Sequence, residues 1–464
     1  MIGPTWDTNG RLRNVGLRLV FIAPFATQPK ATTGARVLPL ARALAARGHA
    51  VTVLVPPYDR PEEGGQTYEV GGARVEALRV DASLPEQSPW QAVMQPWMAV
   101  RLVRRALALQ PDIVHVFKPK AVSGLSQLLL WYGRSAIPLL AAGRRAPAVV
   151  LDTDDWEGFG GWNEYETYPW WQKAACDWQE RWGLRHAAVT VASRTLEAQA
   201  WSHRVPPARV AYLPNGLAAE DFPGWREARD ALVPGQTTAE TQSPERNSQQ
   251  MARDSALARA LPNYRPRRAP VLLLYTRFFE FLPERVVDVL ERVRGAVPEA
   301  QLLVVGAGKH GQERRLADTA RSRGLADAIV LAGWQAPEAL PRLLATADVA
   351  LFPADDNLAN RAKCSVKLLQ ALWLGLPVVA DAVGQLAEYV QDGTSGLLSA
   401  PDRPHTMADQ AIRLLQDPAL ARPLGVAGRQ RAEQDFNWPR LAAGAERAYA
   451  AALPGAKLGV LRSK

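Results

Sequence analysis

Lys363 and Lys367 bracket the start of an amphipathic run in "NRAKCSVKLLQALWLGLPVVAD" (360–381). The backbone dipole already makes the amino end of a helix positive, so cations there are unfavourable unless an anion is to be held. Ser365, between them, is a good N-cap residue. The alternative is a solvated helix start with incidental lysines. A second candidate is Gly306-Ala307-Gly308-Lys309 after an apolar run. Glycines there let backbone approach a ligand closely, although any strand-to-helix turn can carry such a pair. A third is "LDTDDWEGFGGWNEYETYPWWQ" (151–172) with the tryptophans that follow it. Trp156, Trp162, Trp170, Trp171, Trp178 and Trp182 have apolar faces and one N–H each, which suits sugar rings, membrane interfaces and core packing alike.

These residues need elements to position them. The chain has 464 residues, 47% hydrophobic and 22% charged, an ordinary globular composition long enough for more than one domain. "LRLVFIAP", "AVTVLVPP", "DIVHVF", "AVVLDTD", "AAVTVAS" and "RVAYLPNG" are near-continuous apolar runs separated by helix-like stretches. In the first such stretch Val37, Leu40, Ala41 and Leu44 share one face. Continuous rather than alternating apolar runs predict parallel strands buried on both faces. The pattern stops near Phe222, gives way to a polar segment rich in Ser, Gln and Thr, and restarts with "VLLLYTRF", "QLLVVGAG", "AIVLAGW", "DVALFPA" and "PVVAD".

The reading is therefore α/β, with two doubly wound Rossmann-like domains facing across a cleft. Its parts are a flexible tail (1–16), a first domain (17–222), a linker with a partly disordered insertion (223–268), a second domain (269–440), and a closing helix and tail (441–464). Open α/β sheets bind ligands beyond the carboxyl ends of their strands. His115, inside a buried strand, reads as structural.

Other features narrow the class. Cys176 and Cys364 give neither a disulfide framework nor metal spacing, which suits a reducing compartment. The first residues lack a signal-peptide core. The apolar segment 121–143 is interrupted by Arg134 and Pro138 and reads as a buried helix and loop rather than a span. The net charge of +9 fits an arginine-rich solvated surface, an anionic ligand or an anionic membrane. No basic or aromatic motif points to nucleic acid. "APFATQPKATTG" after the first run does not fit a dinucleotide fingerprint.

Taken together, "LARALAARGHAVTVL", "AAVTVASRTLEAQA", "YLPNGL", "QLLVVGAG" and "GLPVVAD" followed by "VQDGTSGLL" resemble the GT-B glycosyltransferases of family 4. The resemblance spans nearly the whole chain outside the tail and the insertion. It implies sugar transfer with retention from a nucleotide sugar as co-substrate, without a cofactor or metal. The nucleotide belongs to the second domain and the acceptor to the first.

Residue by residue, the resemblance places Arg277 at the donor diphosphate, where charge grows as the glycosidic bond breaks. Leu282 stands where the family has a lysine, so Lys363 and Lys367 are the substitutes. Ser365 would begin the helix whose N–H groups meet phosphate oxygens. The family's two glutamates in this element are here Ala362 and Gln370, and Gln370 can still bond ribose. Gly306, Gly308 and Lys309 lie on the donor path. Trp334 either stacks on the base or packs in the core. Gly34 keeps one glycine of a phosphate-side loop. Asp154 or Asp155 takes the place of a family histidine near the reaction centre, to orient an acceptor hydroxyl, to accept its proton, or to cap a turn. Lys118, with Trp156 and Trp162, is on the acceptor side, where Lys118 meets an anionic acceptor or is solvated.

The implied activity is transfer of a hexose from a UDP- or GDP-sugar to a lipid-linked or polysaccharide acceptor. The alternative is a noncatalytic GT-B domain that binds a glycan or a partner. The expected location is cytoplasmic, with peripheral contact at an anionic membrane left open.

Overall fold

The computed structural model describes residues 5–6, 12–13, 16–27, 32–79, 91–134, 146–230 and 269–453. Most of the expected tail, nearly all of the expected insertion (231–268) and the chain end from 454 lie outside these residues. The chain divides into two compact units. One comprises 1–215, 362–364 and 438–464; the other comprises 216–361 and 365–437. The closing helix, Trp438–Ala452, thus belongs to the first unit.

β1 (Thr5–Trp6) and β2 (Leu12–Arg13) form a small antiparallel pair. The main sheet of the first unit contains β3 (Arg18–Ile22), β4 (Ala50–Val55), β5 (Thr67–Val70), β6 (Ala73–Ala77), β7 (Ile113–Phe117), β8 (Ala148–Thr153), β9 (Ala188–Val191) and β10 (Val210–Tyr212). Their order is β10-β9-β8-β7-β3-β4-β6-β5. All neighbours are parallel except β5 and β6. That hairpin lies within a stretch with no apolar run, and its turn uses Gly71 and Gly72, both at positive φ (54° and 83°), the geometry of a two-residue hairpin turn. The chain leaves β3 on one side and returns to β7 on the other. The carboxyl ends of β3 and β7 therefore form the reversal point at which such sheets bind ligands.

The second unit holds β11 (Val271–Tyr275), β12 (Gln301–Val305), β13 (Ile329–Gly333), β14 (Val349–Phe352), β15 (Val378–Asp381) and β16 (Leu397–Ser399). They run in the order β13-β12-β11-β14-β15-β16, all parallel. Its core joins Leu272 and Leu274 to Val287, Leu290, Val304, Leu351 and Val379. The reversal here lies between β11 and β14. In both units a non-glycine residue at positive φ follows the reversal strand: Lys118 (φ 66°) after β7 and Phe278 (φ 61°) shortly after β11. Such backbone costs about 1–3 kcal/mol and persists only where the surroundings over-determine it.

Among the described residues no helix is long and apolar enough to cross a membrane. The end of β11 is held tightly against β12. Gly306 sits at φ 107°, and a Cβ added there would lie 2.0 Å from the Thr276 carbonyl oxygen. Gly306→Ala should therefore cost at least ~2 kcal/mol and lower the melting temperature by several degrees. Thermal unfolding checks this, and an unchanged transition would show that the strand end yields freely.

Candidate functional site

In the first unit the site begins inside β8. Asp152 is fully buried in an otherwise apolar strand, and a carboxylate there must be paired. Its partner is Arg36, also fully buried, which donates from Nε to Oδ1 (2.7 Å) and from Nη2 to Oδ2 (2.6 Å). Arg36 comes from a π-helical turn, Thr33–Val37, just ahead of the helix Leu38–Ala45. Single π turns often mark functional positions. Its other donors go to the Leu213 carbonyl (2.8 Å) and Asn215 Oδ1 (3.0 Å). Burial works against the charge on Arg36, and Asp152 overcomes it, holding the guanidinium firmly protonated.

Thr190 Oγ1 donates to Asp152 Oδ2 (2.6 Å). His115 connects Thr190 Oγ1 (3.2 Å) to the Tyr449 hydroxyl (3.0 Å) on the closing helix. Burial, with Arg36 adding to it, pushes the His115 pKa well down, so the ring is a neutral tie.

Beyond the end of β8, three carboxylates meet two lysines. Lys118 Nζ lies 2.8 Å from Asp154, 2.5 Å from Asp155 and 3.1 Å from Glu157. Lys120 Nζ reaches Glu157 (2.5 Å) and Asn163 Oδ1 (3.1 Å). Thr32 Oγ1 donates to Asp154 (3.1 Å). Burial opposes the charge on Lys118, but the three carboxylates together hold it protonated. Of the two expectations for Lys118, the solvated one does not hold: the side chain is buried and ion-paired within the protein. Among the three carboxylates Asp155 differs. Burial raises its pKa, and Asp154 and Glu157 add to that rise against Lys118. Burial opposes the charge on Asp154 and Glu157 as well, but Lys118 with Arg36 at the first, and Lys120 with Lys118 at the second, outweigh it and the pKa falls. Asp155 is also the most open of the three, its side chain 19% exposed.

Glu180 supports this loop from the helix Trp170–Arg185. It accepts the backbone N–H groups of Glu157 and Gly158, both at 2.8 Å. Burial, with Glu157 adding to it, raises its pKa to about 8. Trp156 packs against the core cluster of the unit rather than standing free. Lys363, which belongs to this unit, places Nζ 5.2 Å from the Trp162 ring. Ala362 is fully buried, and its carbonyl accepts from Ser193 Oγ (2.9 Å). Gly34 lies in the π turn, 3.3 Å from the Thr27 carbonyl by its absent Cβ.

In the second unit the cations gather at the end of β11. Arg277 lies over Phe279 (5.4 Å) and Trp334 (5.8 Å). Trp334 is 66% exposed, so it is not a core residue. Lys367 Nζ sits 5.9 Å from the ring of Tyr275, the last residue of β11 and two before Arg277. Ser365 caps the helix Val366–Trp373 by accepting from the Leu368 N–H (3.4 Å). Lys363 is grouped with the first unit and Lys367 with the second. Gln370 is half-buried on that helix. The N–H of Gly308 is taken by Glu313 (2.9 Å), and Lys309 is exposed.

A cation that sequence reasoning passed over is Arg285. It pairs with the buried Asp381 (2.7 Å) and donates to the Ala354 carbonyl (3.3 Å), tying the carboxyl ends of β14 and β15 together. Asp381 in turn accepts from Ser399 Oγ and the Ala354 N–H, each at 2.7 Å. A charged residue ending an apolar strand, as in "PVVAD", was the available signal, and the same holds for Asp152 in "AVVLDTD".

Residues 32–216 match the family model described as Glycosyl transferase 4-like domain, and residues 270–417 match that described as Glycosyl transferases group 1. The chain is 26% identical over 412 residues to the GDP-mannose-dependent alpha-(1-6)-phosphatidylinositol monomannoside mannosyltransferase of Mycobacterium tuberculosis, covering 87% of this chain and 90% of that protein. It is 31% identical over 193 residues to the glycogen synthase of the same organism, covering 41% of this chain; the match spans only 45% of that relative's length. Among solved structures, sucrose-phosphate synthase from Thermosynechococcus elongatus matches with a TM-score of 0.65 at 21% identity, covering 93% of this chain and 98% of that one. That likeness is one of fold, the two-domain GT-B arrangement.

Glu180 yields a pH prediction. Its folded pKa of about 8 lies above the ordinary 4.5, so between those values the folded state binds more protons than the unfolded one. Stability should therefore fall as pH rises through that window and level off above it. Glu180→Gln should flatten this slope while costing ~1 kcal/mol at low pH for the weakened N–H bond. Denaturant unfolding of both proteins across the window checks it. Equal slopes would contradict the assignment.

Proposed function

The chain belongs to the family 4, group 1 glycosyltransferases of GT-B fold, and from that premise we propose that it moves a hexose from a UDP- or GDP-sugar to a lipid-linked or polysaccharide acceptor, with retention of configuration. The observation that carries the donor half is the seating of Arg277 and Lys367 about one strand end, β11, at the reversal point of the second sheet. Two fixed cations there oppose the charge that grows on a departing nucleoside diphosphate. They fill the role a divalent ion would otherwise take. Trp334, exposed and beside Arg277, offers a face to the base. The mannosyltransferase relative, matched over most of its length, favours GDP-mannose as the first donor to test.

The acceptor half rests on Asp155. It is the carboxylate of the β8 cluster with the raised pKa and the greatest exposure. We assign it to accept a hydrogen bond from the acceptor hydroxyl and so orient it, while the departing phosphate takes the proton as the bond to the sugar forms. Asp154, bound to Lys118 and Thr32, positions Asp155 through the shared lysine.

The second reading, a noncatalytic binding domain, draws on one observation. Ala362, where the family carries a glutamate toward the sugar, is fully buried with no side chain to offer. Calorimetric titration with UDP and GDP separates the two. One nucleotide should bind, and Arg277→Ala or Lys367→Ala should each weaken it by roughly 10- to 100-fold, the range for a lost charge-assisted contact. Gln370→Ala should cost less, about threefold, as a neutral amide contact does. A larger loss from Gln370→Ala, or no binding of either nucleotide, would overturn the donor assignment.

A further inference from the structure

The helix Trp170–Arg185 carries a face that the transfer reaction does not use. At 100° per residue, Trp170, Trp171, Trp178, Arg181, Trp182 and Arg185 fall within about a third of its circumference. The opposite side is the buried one, with Cys176, Glu180 and Leu184. Trp170, Trp171 and Trp178 are exposed by 78%, 55% and 52%. Core packing does not account for indoles so open to water.

Nor does a glycan platform fit well. Sugars stack on open ring faces, but Trp182 is already stacked with His186 (4.2 Å) and Tyr132 (5.9 Å), with Trp178 alongside (6.4 Å). Tyr132, itself 69% exposed, extends the aromatic patch onto the helix Ala121–Gly133. The charge on this face is positive. Arg185 is exposed, and Arg134 lies 3.4 Å over the Trp131 ring beside the patch. Arg181 is paired with Asp177 at 2.5 Å and is the one arginine of the face so offset. Indoles that present both an apolar body and an N–H, interleaved with arginines on one side of a helix, match the headgroup layer of a membrane.

We propose that this face docks the first unit peripherally on an anionic phospholipid surface. The tryptophans and Tyr132 enter the headgroup region, and Arg185 and Arg134 meet lipid phosphates. In bringing the enzyme to a lipid-borne acceptor, the proposal rests on the glycosyltransferase reading; the docking itself stands on the aromatic and basic face of these two helices. Membrane attraction of this kind combines buried apolar area with charge and weakens as salt rises.

The test is vesicle flotation with phosphatidylcholine alone and with phosphatidylcholine containing phosphatidylglycerol. The full chain should bind the mixed vesicles and lose binding in high salt. The double variant Trp171→Glu/Trp178→Glu, and separately Arg185→Glu, should each reduce partitioning about tenfold or more. Both should melt with the wild type and keep its nucleotide affinity, so loss of docking is distinguished from loss of the donor site. Quenching of wild-type tryptophan emission by lipids brominated near the headgroup provides a readout that needs no variant. Absence of vesicle binding and of quenching would overturn the proposal. So would a dimer in sedimentation velocity that Trp178→Glu dissolves without any lipid effect, which would give the face to a second copy of the chain.

Discussion

The first unit depends on one buried ion pair. Arg36 and Asp152 bring a full charge each into the middle of a parallel sheet, where neither survives alone. Their mutual bidentate geometry, with Thr190, Leu213 and Asn215 completing the donors and acceptors, fixes the end of β8. The three carboxylates that follow inherit their positions from that end. The same pair reaches the closing helix through Thr190, His115 and Tyr449, so the last described helix is bound to β7, β8 and β9 by a polar chain. Arg47 and His49 reinforce that attachment at Glu446, whose carboxyl they pull down to about 2 against the effect of burial.

Both units use the same kinds of residue at the carboxyl ends of their strands. A carboxylate lies at or next to the end of one apolar strand, a buried cation holds it, and a strained residue follows another strand of the same sheet. In the first unit these are Asp152, Arg36 and Lys118. In the second they are Asp381, Arg285 and Phe278. The difference lies in what remains for a ligand. In the first unit the lysines Lys118 and Lys120 are consumed by carboxylates, leaving an acidic rim with Asp155 outermost. In the second unit Arg277 and Lys367 lie about the strand end, beside aromatic rings. One rim suits a neutral hydroxyl, the other a diphosphate. That division of charge is the physical basis for assigning acceptor and donor.

The strands were readable because parallel, doubly covered strands require uninterrupted apolar runs, and each run quoted from "LRLVFIAP" to "PVVAD" contains one. Ser365 was readable because a cap is decided by its own side chain and the N–H three residues on. The hairpin of β5 and β6 was not, since β5 is the exposed edge strand and the apolar run of β6 is broken by Arg74 and Glu76. Arg36 was hidden for two reasons: its inward direction comes from a π turn, outside the helical period, and its partner is 116 residues away. The partners of Lys118 were not readable because nothing local shows that Asp154, Asp155 and Glu157 converge on it.

The central claim is that Asp155 serves the acceptor while Arg277 and Lys367 serve the donor. Release of nucleoside diphosphate from GDP-mannose and a panel of UDP-sugars, in the presence of a lipid extract, tests it most directly when wild type and Asp155→Asn are compared. The account predicts turnover by the wild type with at least one donor. It predicts that Asp155→Asn keeps nucleotide affinity within about twofold while turnover falls by roughly 10²-fold, the usual cost of misplacing a reacting group. Turnover by Asp155→Asn equal to the wild type, or nucleotide affinity lost in step with turnover, would contradict it.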